Sequence, residues 1–106
     1  DEFRSLALAL DGAIEAEHMD HPDFRVGGKI FATLGYPDAE HGMVNLTPET
    51  QRTLLRQMPA AFSPCSGKWG ESGATHVRLA AVTPETVRGA LEAAWQKVRT
   101  PPKRKR

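Results

Sequence analysis

Five basic or aromatic side chains in this sequence have the chemistry of a polyanion-binding surface. Lysine and arginine neutralise phosphates, and a tryptophan on a surface loop can stack on an exposed base. The candidate nucleic-acid-binding residues are Arg25, Lys29, Lys68, Trp69 and Arg78. Arg25 and Lys29 have a simpler alternative, which is to solvate one face of a sheet beside nearby acids. Trp69 has one as well, because a tryptophan in a glycine-rich loop often packs on its own domain.

A second set of residues has the chemistry of metal ligands. His18 and His21 lie within an acidic run, and imidazoles and carboxylates are common ligands of zinc and iron. These histidines fall where a predicted strand meets a turn, and nothing there is expected to place both rings on one side. We therefore predict a solvated polar edge with no metal site, and rank metal binding third among the functions.

A third set could support covalent chemistry. Cys65 and His76 could act as nucleophile and base, but a chain with one cysteine and four histidines produces such a pair readily by chance. The sequence contains no Gly-x-Ser-x-Gly motif, no phosphate-binding loop and no dinucleotide fingerprint. We predict no catalytic residue, no cofactor and a protein that is not an enzyme.

Charge is distributed unevenly along the 106 residues. Residues 1–49 carry ten acids and three bases, whereas residues 50–106 carry three acids and eleven bases. Four of these bases are the last four residues, and without them the chain has thirteen acids and ten bases. The basic character therefore belongs first to the tail, so we expect any binding of DNA by the tail alone to be weak and salt-sensitive.

Length and composition predict one domain over residues 1–99, followed by a basic Pro/Lys/Arg tail over residues 100–106. The single cysteine cannot form an internal disulfide, which favours a reducing compartment. No apolar run approaches the ~20 residues that a membrane span needs. We expect a cytoplasmic monomer that does not contact membranes.

Hydrophobic spacing predicts an α+β fold, with an antiparallel sheet, helices packed on one face and the element order α-β-β-β-β-α-β-α. Residues 2–10 have helical periodicity, and Gly27-Gly28 predicts a tight hairpin between two β-rich runs. The motif Thr-Pro-Glu-Thr occurs at residues 47–50 and 83–86 and predicts the capped start of a helix at each. Residues 60–73 are predicted to form a loop or an irregular strand. The predicted core contains Phe3, Leu6, Leu10, Leu54, Leu55, Leu91, Trp95 and Val98.

The predicted hairpin carries apolar side chains on both faces. A two-residue loop pairs Val26 with Lys29 and Phe24 with Phe31, and cross-strand partners share a face. One face would hold the helices, and the other would stay partly exposed or be covered by a partner. An uncovered face bearing Phe24, Phe31 or Trp69 would be a docking surface for a protein or a small ligand, which is the alternative to DNA binding.

Two segments resemble the MmcQ/YjbR family of small bacterial proteins. The first is His21-Pro22-Asp23-Phe24-Arg25-Val26-Gly27-Gly28-Lys29-Ile30-Phe31-Ala32, and the second is Gly67-Lys68-Trp69-Gly70 followed by Gly73-Ala74-Thr75 and Val77-Arg78-Leu79. The resemblance extends over residues 2–98 and implies a fold similar to CyaY and frataxin. It also implies DNA binding through a double-wing arrangement, which is the leading function prediction.

Overall fold

A computed structural model describes residues 2–35 and 38–99 of the chain. Its elements, in chain order, are α1 (Glu2–Leu8), β1 (Ile14–His18), β2 (His21–Val26), β3 (Lys29–Leu34), β4 (His41–Asn45), α2 (Pro48–Gln57), β5 (Phe62–Pro64), α3 (Gly67–Glu71), β6 (Ala74–Arg78) and α4 (Pro84–Arg99). A 3-10 turn over Leu79–Ala81 joins β6 to the loop before α4. The predicted tail over residues 100–106 lies outside the described residues.

The six strands form one antiparallel sheet in the order β1-β2-β3-β4-β6-β5. Phe24, Ala32 and Val44 are successive cross-strand partners, and all three are buried in one cluster with side chains of α1 and α4. We call their side of the sheet the helix face. The predicted α+β architecture, with helices on one face of an antiparallel sheet, is confirmed.

Both Thr-Pro-Glu-Thr motifs start helices as predicted. The Thr47 hydroxyl accepts a hydrogen bond from the Thr50 amide at 3.1 Å, and the Thr83 hydroxyl accepts one from the Thr86 amide at 3.2 Å. Each bond satisfies an amide that the first turn of a helix leaves without a partner. The capping chemistry therefore determines where α2 and α4 begin.

The predicted hairpin is correct at its turn and wrong one pair further along. Val26 pairs with Lys29, but a bulge after Phe24 shifts the register, so that Phe24 pairs with Ala32 and Arg25 with Ile30. Phe31 is the extra residue of the bulge and has no partner on β2. Phe24 and Phe31 are both fully buried, so neither forms the exposed docking surface that the sequence suggested.

The core is centred on the strands more than the sequence predicted. Phe3 and Leu91 are buried as expected, whereas the other predicted core residues are partly buried and pack around the cluster. Its centre is made of strand and loop side chains: Phe24, Phe31, Val44, Leu46, Phe62 and Val77. The helices cover the sheet, so the strand side chains beneath them are fully buried. Many apolar side chains of the helices themselves lie at the edge of this interface and remain partly exposed.

Residues 60–73 contain two short elements, β5 and α3, where a loop or an irregular strand was predicted. The approach of α3 to the chain before it requires a glycine, because a Cβ on Gly70 would lie 1.6 Å from the carbonyl oxygen of Cys65. The Gln51 amide of α2 donates to the Gly70 carbonyl at 3.0 Å, to the Ala74 carbonyl at 3.1 Å and to the Thr75 hydroxyl at 3.1 Å. These contacts fix α3 against α2 and β6.

The far end of α4 is also tied to this region. The Lys97 ammonium donates to the Asn45 side chain at 2.7 Å, to the Leu46 carbonyl at 2.7 Å and to the Ser72 carbonyl just after α3 at 3.1 Å. Partial burial lowers the pKa of Lys97, but the three oxygens satisfy its three N–H groups. One side chain therefore joins α4, the end of β4 and the segment that follows α3.

Within the two described ranges, no helix combines the length and the apolar character that crossing a membrane requires.

We expect the substitution Gly70→Ala to destabilise the fold by about 3 kcal/mol, because the new methyl group overlaps the backbone at Cys65 and α3 must move. Gly89→Ala is the matched control: it lies in α4 with open space around its Cα, and alanine there should stabilise the helix by about 1 kcal/mol. Urea unfolding followed by circular dichroism measures both. Equal stability of the two variants would show that α3 is not held by this close approach.

Candidate ligand-binding groove

The second face of the sheet is not covered by helices α1 and α4. Asp23, Thr33, Met43 and His76 are successive cross-strand partners across β2, β3, β4 and β6, one position out of step with the helix-face row. Because neighbouring positions on a strand point to opposite sides, this row lies on the other face. We call it the open face.

A groove with a volume of about 580 Å³ crosses the open face. One wall is the β1–β2 hairpin with His18, Met19 and His21, and Thr33 lies on the floor between the walls. The opposite wall is formed by β6 and the segment from β5 into α3, with Cys65, Ser66, Trp69 and His76. A small buried cluster of Met43, Cys65 and Ala74 supports the floor on this side.

Two large apolar side chains are exposed in the groove. Trp69 is 49% exposed and Met19 is 84% exposed, one on each wall. An indole and a thioether facing one cavity give it a broad apolar surface, whereas three imidazoles and two hydroxyls supply hydrogen-bonding groups. This combination of apolar walls with a few polar groups is typical of small-ligand sites.

A buried carboxylate supports the hairpin wall. The Asp23 side chain is 0% exposed and accepts hydrogen bonds from Arg25 Nε at 2.7 Å and Nη2 at 3.1 Å, and from His18 Nδ1 at 2.7 Å. The hydrogen bonds from Arg25 lower the pKa of Asp23 despite its burial, and those from His18 act in the same direction. Asp23 is therefore ionised at neutral pH and holds His18 in place at the side of the groove.

The β1–β2 turn is strained at the rim of the groove. His18 pairs with His21 across a two-residue loop, and both loop residues are left-handed, with φ 50° at Met19 and φ 66° at Asp20. Asparagine, aspartate and glycine adopt this conformation readily, but methionine does so at a cost. The rim of the groove therefore holds an exposed methionine in a strained backbone conformation.

The opposite wall contains the thiol–imidazole contact that the sequence suggested. Cys65 Sγ lies 3.7 Å from His76 Nδ1. Burial raises the pKa of Cys65 to about 11, so the thiol is protonated at neutral pH. Burial, with a smaller effect of the neighbouring His41, lowers the pKa of His76. A nucleophilic cysteine needs a lowered pKa, and the pKa of Cys65 is raised. We therefore interpret this contact as structural.

The five predicted nucleic-acid-binding residues do not form one surface. Arg25 is committed to Asp23, and only Lys68 and Trp69 are neighbours, on α3. Lys29 adjoins the β2–β3 turn, whereas Arg78 pairs with His41 at the opposite end of the sheet. These two ends are separated by the length of a strand, about 17 Å. The described residues contain twelve acids and ten bases, so they carry no excess of positive charge.

The two clustered histidines lie on one side after all. His18 and His21 are cross-strand partners and both line the groove. The prediction that nothing would place both rings on one side was therefore wrong. Their alignment does not create a ligand cage: within residues 2–35 and 38–99, no three histidine, cysteine or acidic side chains come together closely enough to hold a metal ion.

Most of the groove was not visible to sequence reasoning. The sequence indicates Trp69 by its residue type and offers Cys65 and His76 as a pair, but no pattern in it places these residues opposite His18 and Met19. Alternation along β2 and β3 could have placed Asp23 and Thr33 on the face away from the helices. The register that joins β3, β4 and β6 is a long-range property that no short motif records.

The family of the chain follows from its sequence match. The sequence model of the YjbR family matches residues 8–97. The chain belongs to the YjbR family. The crystal structure of a Deinococcus radiodurans protein with a DUF419 domain has the same fold, with a TM-score of 0.73 at 20% identity, over 90% of this chain and 74% of that one. No curated protein matches the chain. The predicted membership of this family is confirmed.

We expect Asp23→Asn to destabilise the YjbR fold by about 2 kcal/mol at pH 7, because it removes the charge that Arg25 and His18 bind. The pKa of Asp23 is lowered on folding, so its contribution is complete above the unfolded-state value of about 3.9 and is lost as the pH falls through the lower folded value. The stability difference between wild type and variant should therefore shrink below about pH 4.

Urea unfolding at a series of pH values between 7 and 2.5 measures this difference. Asp38→Asn is the matched control, because Asp38 also binds a histidine but is 60% exposed, so its loss should have a much smaller effect. A difference between wild type and Asp23→Asn that stays constant with pH would show that the carboxylate charge does not support the hairpin.

We expect Met19→Asn to stabilise the domain by about 1 kcal/mol, since asparagine tolerates the left-handed turn better. The melting temperature should rise by about 4 °C. Thermal unfolding by circular dichroism measures the change, with Asp20→Asn as a near-neutral control because both side chains suit the turn. A fall in melting temperature for Met19→Asn would mean that the thioether packs usefully on the fold.

Proposed function

We propose that this YjbR-family protein is a non-enzymatic binding module whose open-face groove takes a small planar aromatic ligand. The observation that carries the proposal is the half-exposed indole of Trp69 on the wall of a cavity of about 580 Å³. Cavities of 300–1,000 Å³ suit small organic molecules, and an exposed indole provides a stacking surface.

The structure around Trp69 supports binding over self-packing. The Gln51 side chain donates to the Gly70 carbonyl, and Gly70 packs closely against the backbone of Cys65. These contacts hold α3, and with it the Trp69 backbone, in a fixed position. A pre-positioned aromatic side chain loses little conformational entropy when a ligand stacks on it. On the facing wall, Met19 can adapt to different ring shapes because its thioether is flexible and exposed.

The lack of an activated nucleophile supports the non-enzymatic part of the proposal. Cys65 is the only cysteine of the chain, and its pKa of about 11 leaves roughly one molecule in 10⁴ as thiolate at pH 7. Cys65 has no second cysteine in the chain with which to form an internal disulfide, which also fits a cytoplasmic protein.

DNA binding is the second candidate, and the adjacency of Lys68 to the exposed Trp69 favours it. A single strand could place a base on the indole and a phosphate near the ammonium. The acidic excess of the described residues and the spread of the other three candidate bases, Arg25, Lys29 and Arg78, oppose strong binding to a duplex.

Titration of ¹⁵N-labelled full-length protein with indole, nicotinamide and adenosine tests the proposal. The chain has two tryptophans, so the indole region of the spectrum contains one signal from the groove and one from Trp95, which donates to the Asp11 carbonyl elsewhere. We expect the Trp69 signal to move and the Trp95 signal to stay. Trp69→Ala should weaken binding at least tenfold, as expected for the loss of about 1.4 kcal/mol of stacking.

Trp95→Phe is the matched control, since it removes the other indole and should leave affinity unchanged. Fluorescence anisotropy with labelled single-stranded and duplex DNA at physiological salt provides the competing readout. If no aromatic compound moves the Trp69 signal, while DNA binds and Lys68→Glu abolishes that binding, the groove is not a small-molecule site and the second candidate replaces the first.

A further inference from the structure

A second, smaller cavity lies beyond one end of the groove and contains a different set of groups. Its volume is about 330 Å³, and its side-chain donors are His41 of β4, Ser63 of β5 and Arg78 of β6. The segment Pro59–Phe62 lines the rest of the cavity. A guanidinium, an imidazole and a hydroxyl around one cavity are the donors that bind phosphate and carboxylate oxygens.

The two cavities lie on the same face of the sheet. His41 pairs with Arg78, and Met43 pairs with His76 two positions along the same two strands, so all four side chains share the open face. Ser63 is the cross-strand partner of His76 on the other side. The His41 and His76 rings are 6.2 Å apart and meet edge to face. The groove and the second cavity are therefore adjacent sections of one surface, joined at this histidine pair.

The groups of the second cavity are oriented for an anion. The His41 ring donates from Nδ1 to the Asp38 carboxylate at 2.8 Å, which turns its other nitrogen away from that acid. Asp38 also accepts from the Glu40 amide at 2.9 Å, and the hydrogen bond from His41 lowers its pKa, so this carboxylate is already satisfied. Among the described residues, the Arg78 guanidinium forms no salt bridge, although its charge also helps to lower the pKa of the nearby Asp38 carboxylate.

We infer that the natural ligand of this surface is a two-part molecule, a planar ring in the groove joined to an oxyanion in the His41–Arg78 cavity. His76 and Arg78 are two positions apart on β6, so the anion lies about 7 Å beyond the histidine at the edge of the ring site. A heterocycle joined to a phosphate by a sugar-sized linker has this spacing. The inference rests on the proposed function and specifies its ligand class, of which a nucleoside monophosphate is the test case.

The experiment compares adenosine, adenosine 5′-monophosphate and inorganic phosphate on the full-length protein by ¹⁵N chemical-shift titration. The Trp69 indole reports on the ring site, and the backbone amides of Phe62 and Arg78 report on the anion site. We expect adenosine to move only the Trp69 signal, and the monophosphate to move both sets and to bind at least tenfold more tightly. Phosphate alone should move only the Phe62 and Arg78 amides.

Arg78→Gln should reduce the affinity for the monophosphate to that of adenosine and leave adenosine unchanged. The Arg78 side chain is exposed, and its backbone amide still bonds the Ala61 carbonyl in the variant, so the fold should persist and the amide spectrum verifies it. Arg88→Gln on the exposed side of α4 is the matched control and should change neither affinity.

Each contrary result has one meaning. If the monophosphate binds no more tightly than adenosine, the anion site is wrong while the proposed groove stands. If none of the aromatic compounds moves the Trp69 signal, the proposed function fails, and the two-part ligand fails with it. If binding of the monophosphate depends on Arg78 but not on Trp69, the ring site at Trp69 is wrong and the anion site stands. If a five-nucleotide DNA strand binds at least tenfold more tightly than the monophosphate, the inference that the ligand is a free small molecule is wrong, and the surface binds a nucleic-acid strand.

Discussion

The open face of this YjbR domain depends on one buried charge. Asp23 is the only acidic side chain that is fully buried among the described residues, and ionisation there is tolerated because two positively polarised partners bind both of its oxygens. Arg25 comes from the same strand and His18 from the neighbouring edge strand. A single carboxylate therefore joins β1 to β2 by side chains as well as by backbone bonds, and it gives the edge hairpin the rigidity of a wall.

The second wall is held by a different kind of contact. α3 is five residues long, too short to be stable by its own backbone bonds. It persists because Gly70 lets it lie against the Cys65 backbone and because Gln51 and Lys97 bind carbonyl groups within and after it. Side chains of α2 and α4, which belong to the helix face, thus determine where Trp69 lies on the open face. The width of the groove is set by both layers of the domain.

The groove contains the features that reduce stability in an otherwise consistent fold. An exposed indole and an exposed methionine in a left-handed turn lie on its two walls. Elsewhere, caps, glycines and apolar stripes agree with the local structure, as at Thr47, Thr83 and Gly12. Departures of this kind concentrate where a protein binds something, because selection for a ligand opposes selection for stability.

Short-range sequence patterns predict the local structure and the family of this chain. Helix starts at the two Thr-Pro-Glu-Thr motifs, the Gly27-Gly28 turn and the α+β class all follow from interactions between residues a few positions apart, which short patterns record. The candidate site, in contrast, depends on long-range packing. The bulge after Phe24 shifts the register at the buried Phe31. Arg25, which the sequence suggested as a phosphate ligand, binds Asp23. The strand order places His76 and Trp69 opposite His18 and Met19. Those outcomes depend on register and on packing between distant segments, and the free energy that selects them comes from contacts that exist only once the sheet has formed.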